Sequence, residues 1–126
     1  MSHLEYYEEK AKLYNMTVMD MVTEFAQITG QAPNDKLYER LIEEEFKEWV
    51  QEIDSAHNEL KELSDLVYVC YGYAKAKGWD LDEAVRRVHR NNVGRCVQPD
   101  GTVKRREDGK ILKNPDFPKV ILEDLL

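Results

Sequence analysis

Apolar residues recur along this chain at the 3.6-residue period of an α-helix, and that periodicity constrains the fold more than any other feature. Val18, Met21, Val22, Phe25 and Ile28 fall at i, i+3, i+4, i+7 and i+10. They predict a helix over residues 17–29, with Thr17 as N-cap and Gly30 as its stop. After the Gln31-Ala32-Pro33-Asn34 break, a longer helix is expected over 35–55. Its core stripe is Tyr38, Ile42, Phe46, Trp49 and Ile53, and Leu41, Glu45, Glu48 and Glu52 form a neighbouring stripe. A third helix is expected over 57–77; apolar residues wrap nearly its whole circumference after Asp65, so it reads as buried. Asp80 and Glu83 form a capping-box pattern for a fourth helix over 81–93 that closes at Gly94. Tyr6, Tyr7 and Leu13 give only a weak pattern for a leading helix.

Beyond the helices, Pro99-Asp100-Gly101 and Glu107-Asp108-Gly109 are turn signals on either side of residues 102–106, which predicts a small hairpin or ordered loop. Pro115 and Pro118 make the last stretch an extended tail. The 126 residues suit a single domain, 1–126. No apolar run approaches the roughly 18 residues of a membrane span. The first residues show neither a basic start nor an apolar stretch, so no secretory signal is expected. Cys70 lies in an apolar run and Cys96 beside a basic one; two cysteines are too few for a disulfide framework, and a reduced, cytoplasmic setting is the simplest reading.

Charge is divided along the chain. Residues 1–85 hold 8 Lys/Arg against 19 Asp/Glu, whereas residues 86–126 hold 10 against 6. The acidic body argues against non-specific duplex binding; Arg86, Arg87, Arg90, Lys104, Arg105 and Arg106 are the only residues that favour it. A basic tail beside an acidic cluster suits a polyanion whose charge is shared with metal ions.

Two acidic pairs carry that idea. Glu45-x-x-Glu48 lies on the second periodic helix and Glu62-x-x-Asp65 on the third, each at i, i+3 and therefore on one helix face. Thirteen residues separate the pairs, including Asp54 and Asn58, enough for a helix end, a short turn and the next start. An antiparallel helical hairpin would make them face each other. Four converging carboxylates repel one another unless protonated, paired or bound to metal. Lys47 and Lys61 flank the pairs but are expected to point elsewhere. Oxygen donors without Cys or His select Mg²⁺, Mn²⁺ or Ca²⁺ over zinc, and Mg²⁺ commonly bridges carboxylates to substrate phosphates. The bland alternative is a solvated helix surface, on which Glu-x-x-Glu is common. Asp65 weighs against it, because Leu63, Leu66, Val67 and Val69 surround it in sequence. A carboxylate-bridged di-iron bundle would need two Glu-x-x-His motifs, and neither is present.

The segments Leu41-Ile42-Glu43-Glu44-Glu45-Phe46-Lys47-Glu48, Glu62-Leu63-Ser64-Asp65, Val88-His89-Arg90-Asn91-Asn92-Val93-Gly94-Arg95 and Asp108-Gly109-Lys110-Ile111-Leu112-Lys113 follow in that order. Together they resemble the MazG-like all-α nucleoside triphosphate pyrophosphohydrolases over roughly residues 17–118. The resemblance implies an all-α fold, a four-to-five-helix bundle of this pyrophosphatase type with a short C-terminal hairpin or loop. It implies a core over about 17–95 and a basic substrate-contacting segment over about 96–126. The implied activity is Mg²⁺-dependent hydrolysis of a nucleoside triphosphate, in first place a dNTP, to the monophosphate and pyrophosphate, with Mn²⁺ as a substitute ion. Carried over by position, Glu45, Glu48, Glu62 and Asp65 are metal ligands, and Glu44 with Glu45 serves the catalytic water. Asn92, Arg95, Lys110 and Lys113 contact substrate. Arg95 stands where many relatives carry Lys, and a guanidinium does not replace an ammonium at a phosphate without consequence. A homodimer or homotetramer is implied as well. The alternatives are a phosphoribosyl-ATP or dUTP-specific pyrophosphohydrolase, and a non-catalytic helical interaction module.

Overall fold

A computed structural model describes residues 2–126, except the side chain of Tyr7; Met1 lies outside the described residues. The chain divides into two compact units, residues 1–79 and 80–126. The first holds α1 (His3–Tyr14), α2 (Val18–Thr29), α3 (Asp35–Gln51) and α4 (Ala56–Lys77). The second holds α5 (Leu81–Arg95), the strands β1 (Lys104–Arg105) and β2 (Ile111–Leu112), and a final 3₁₀ turn (Glu123–Leu125). The predicted mainly helical architecture with a small C-terminal hairpin is therefore the observed one.

Helix starts follow local chemistry. Thr17 and Asp20 form a reciprocal capping box at α2, and the Asn34 side chain accepts from the Leu37 amide at α3. The leading helix owes its start to a second box, Ser2 with Glu5, in which the Ser2 hydroxyl accepts from the Glu5 amide and the Glu5 carboxylate accepts from the Ser2 amide. That Ser-x-x-Glu signal makes α1 longer than its apolar pattern predicts. At the other ends, α2 and α4 stop on Gly30 and Gly78 in the left-handed conformation.

Within the first unit, α4 packs against both α3 and α2. α3 ends at Gln51, four residues before the expected point. Glu52 and Ile53 continue the helical period, but Asp54 takes φ 75°, which ends the helical path and turns the chain into α4. The Tyr38 ring of α3 lies directly against Gly72 of α4, where any Cβ would overlap it. Phe25 of α2 meets Tyr68 of α4 edge to face, ring centroids 6.0 Å apart.

Burial departs from expectation. Of the described apolar residues only Val22 and Ala74 are fully buried. Tyr38, Ile42 and Trp49 are half-buried, yet Phe46 and Ile53 of the same predicted core stripe are exposed, Phe46 by 51%. α4 is not a buried helix either: Leu60 is 65% exposed, and Leu63 and Val67 also face outward. Periodicity identifies an apolar face; it does not say whether this chain alone covers it.

In the second unit, Lys104 pairs with Leu112 and Arg105 with Ile111 in an antiparallel hairpin. The Glu107-Asp108-Gly109 turn joins the strands, with Gly109 at φ 89°. Gly94 is not the stop of α5. The helix runs through it to Arg95, and the glycine is required because Phe117 of the tail occupies the space of its missing Cβ.

Candidate metal centre

Glu45 and Glu48 lie one turn apart on α3, and the short 52–55 turn brings α4 back so that Glu62 faces them. One carboxylate oxygen from each of the three lies within 4.8 Å of the others. Glu48 is exposed, whereas Glu45 and Glu62 are half-buried, Glu62 with only 16% of its side chain exposed. Asp65, one turn along α4 from Glu62, does not supply an oxygen to that group. Its Oδ2 is 2.7 Å from Lys61 Nζ, which also lies 3.5 Å from Glu62 Oε1. Asp65 is near enough to act on Glu45 through its charge.

Lys61 is thus a correction to the expectation that both flanking lysines turn away. Lys47 does so, pairing with Glu43 at 3.0 Å. Lys61, four residues before Asp65, lies on the acids' face of α4, and the i, i+4 spacing carried that signal in the sequence. Its ammonium is held above the usual lysine range, first by the hydrogen bond to Asp65 and then by the charges of Asp65 and Glu62.

The electrostatics of Glu45 and the pairing of its neighbours' oxygens define what the site can hold. Burial pushes the Glu45 carboxyl from 4.5 up to about 7; the charge of Glu48 and a hydrogen bond to it, then the charges of Asp65 and Glu62, add to the rise. Oε2 of Glu45 and Oε2 of Glu62 are buried with no hydrogen-bond partner. Buried carboxylate oxygens are ordinarily satisfied. Two orphaned oxygens beside a third carboxylate, with no Cys or His among them, fit a hard divalent cation. When bound there, such a cation neutralises phosphate charge and acidifies water.

Glu44 precedes the first ligand-type residue on α3 and is exposed. The remaining predicted residues gather in the second unit. Arg95, Lys110 and Lys113 line one open depression of about 380 Å³ with Arg106, Ile111 and Leu112. Asn92 Oδ1 accepts from Lys113 Nζ at 3.3 Å. Arg106, a fourth cation at this depression, donates from Nε to Asp108 Oδ1 at 2.9 Å across the hairpin turn. The other arginines of the basic third are engaged within the protein. Arg86, Arg87 and Arg90 all reach Glu83, and Arg87 also reaches Asp124. This pairing dilutes the basic surface that a nucleic acid would need.

Five helices and a small hairpin among the described residues, with helix-borne carboxylates that fit a divalent cation, agree with a class, the MazG-like all-α pyrophosphohydrolases that cleave a phosphoanhydride. Residues 16–92 match the model of one family within it, described as phosphoribosyl-ATP pyrophosphohydrolase, and the chain belongs to that family. The matched stretch contains all four acids and Asn92 and ends before Arg95, Lys110 and Lys113. A search of curated proteins finds no match. Among the described residues, no helix is long and apolar enough to cross a membrane.

Proposed function

We propose that this chain adds water across the α–β phosphoanhydride of a nucleotide 5′-triphosphate, releasing pyrophosphate and leaving the monophosphate, and that phosphoribosyl-ATP is its substrate. One observation carries the reading: three carboxylates within 4.8 Å, two of them with buried, unpartnered oxygens, on helices of the matched region. Glu45, Glu48 and Glu62 would hold Mg²⁺, and Asp65 would join them once it leaves Lys61. Mn²⁺ takes the same donors. Glu44, exposed beside Glu45, would orient the attacking water or take its proton. Arg95, Lys110 and Lys113 would bind phosphate oxygens, and Asn92, whose Oδ1 accepts from Lys113, would bind substrate beside them.

A second reading, a dNTP as substrate, is favoured by where the family match stops. The basic depression lies on residues outside it, so the matched helices account for the acid chemistry and not for the choice of base and sugar. The deciding experiment measures pyrophosphate release, with and without Mg²⁺, from phosphoribosyl-ATP, the common NTPs and the common dNTPs, and identifies the nucleotide product. Turnover of phosphoribosyl-ATP alone supports the first reading, and turnover of dNTPs alone the second. Absence of both turnover and Mg²⁺ binding would leave a non-catalytic helical module.

A homodimer belongs to the same proposal. Phe46 and Val50 on α3, Ile53 in the turn that follows it, and Leu60, Leu63 and Val67 on α4 are exposed. Apolar stripes of this kind on a soluble helical unit mark a surface for association. Sedimentation should give a particle of twice the 14.8 kDa chain mass or a higher multiple. Leu63→Glu should shift it toward the monomer.

A further inference from the structure

The C-terminal residues 114–126 carry none of the chemistry proposed so far, yet they are tied to α5 along most of its length. At the end of α5 the Asn114 amide donates to the Arg95 carbonyl at 2.6 Å. One turn back, the Phe117 ring fills the space that any side chain at position 94 would need. Asn91 Nδ2 donates to the Pro118 carbonyl at 2.8 Å. Further toward the start of the helix, Arg87 grips Asp124 with both terminal nitrogens, at 2.6 and 2.9 Å, and donates to the Ile121 carbonyl at 3.2 Å. Such a bidentate, charge-assisted pair fixes direction as well as distance. Arg87 is itself oriented by Glu83, whose carboxylate accepts from its Nε at 3.1 Å.

The tail begins at the residue after Lys113. β2 and Lys113 are thus bounded on one side by the hairpin and on the other by contacts that fix Asn114 to Arg95. Lys113 lies against Asn92, and Arg95, Lys110 and Lys113 share one depression. Lysine side chains lose considerable rotamer freedom when they grip a ligand, so a fixed backbone beneath them matters to affinity. The two-residue strands offer little of that fixity themselves.

We infer that residues 114–126 form a strap that positions the basic hairpin against the end of α5, with Phe117 seated on Gly94 and Arg87 clasping Asp124 as positioning residues for the Arg95, Lys110 and Lys113 cluster. The strap stands on the contacts alone; its effect on ligand binding rests on the phosphate role proposed above for those three residues.

The test uses the full chain and two readouts. Amide hydrogen exchange at Arg106, which donates to Lys110 in the hairpin, and at Asn114 reports the placement of the hairpin. Calorimetric titration with inorganic tripolyphosphate in EDTA reports the basic cluster without metal. Phe117→Ala and Gly94→Ala should each accelerate exchange at both amides and weaken tripolyphosphate binding about tenfold, the scale of one charge-assisted hydrogen bond. Neither should change Mg²⁺ affinity, since the acid triad lies on α3 and α4. Gly94→Ala combined with Phe117→Leu moves bulk from the tail to the helix and should recover both readouts, which general destabilisation would not do. Exchange unchanged from wild type in both single variants would overturn the strap. Faster exchange with undiminished affinity would overturn its role in binding. A wild-type chain that fails to bind tripolyphosphate, while the variants still loosen the hairpin, would strike down the phosphate reading and leave the strap standing.

Discussion

Glu45→Gln isolates the electrostatic tension of the metal centre. In the metal-free protein the Glu45 carboxyl is raised from 4.5 to about 7, first by burial and then by Glu48, Asp65 and Glu62. A raised carboxyl binds its proton more tightly in the folded than in the unfolded state. The stability it contributes is fully present below pH 4.5 and is lost as pH climbs through 7. Over that interval, at 1.36 kcal/mol for each pH unit, the loss amounts to about 3 kcal/mol. Glutamine has no charge to desolvate and still donates a hydrogen bond to Glu48. Urea denaturation in EDTA should therefore show wild type and Glu45→Gln nearly equal at pH 4.5, with the variant more stable by about 2–3 kcal/mol at pH 8.5. Mg²⁺ should restore the wild type at pH 8.5, by about 2.7 kcal/mol at a hundredfold excess over its dissociation constant, and leave the variant nearly unchanged. The variant should also lose metal-dependent pyrophosphate release. Parallel pH profiles for the two proteins in EDTA would refute the reasoning, because they would mean that the ionised Glu45 suffers no penalty from its surroundings.

Three further outcomes follow from other contacts. Lys61→Ala frees Asp65 from its 2.7 Å ion pair and should tighten Mg²⁺ binding several-fold by calorimetry; weaker binding would show that Lys61 organises the acids instead of competing for them. Gly72→Ala pushes a methyl group into the Tyr38 ring and should lower stability by about 1–3 kcal/mol in denaturant titration, with most of the loss recovered by adding Tyr38→Leu. Arg95→Ala and Lys113→Ala should raise KM for the nucleotide by about tenfold each, with Mg²⁺ affinity unaltered.

What could be read from the sequence was what short-range chemistry dictates. Thr17, Gly30 and Gly78 marked real helix ends, because caps depend on residues within one turn. The i, i+3 acid spacing placed Glu45 and Glu48 on one face, and the thirteen-residue gap brought Glu62 opposite them. Errors arose where a local pattern had a non-local outcome. Ile53 continues the α3 period, but the left-handed Asp54 beside it diverts the chain. Gly94 looks like a helix stop, yet its role is set by Phe117, 23 residues later in the chain. Phe46, Leu60 and Leu63 sit on apolar stripes that α2, α3 and α4 leave exposed. Asp65 has apolar neighbours in sequence, but Lys61 four residues earlier shares its helix face and pairs with it.

The acid triad cannot assemble itself, since each carboxylate repels the others and two bury an oxygen without a partner. Its geometry has to come from the helical hairpin that carries it. At one end of that hairpin, Tyr38 lies flush on Gly72; at the other, the chain reverses within the four residues 52–55. The acids sit between these two fixed points, at positions 45, 48 and 62, where neither helix can move away without breaking one of them. Packing therefore stores the electrostatic repulsion that a cation would release. On this view metal affinity and stability are coupled along α3 and α4, with a sign that depends on whether an acid or an end contact is changed. Neutralising an acid should strengthen the apo fold, as for Glu45→Gln, whereas spoiling an end contact, as in Gly72→Ala, should weaken the fold and the metal site together.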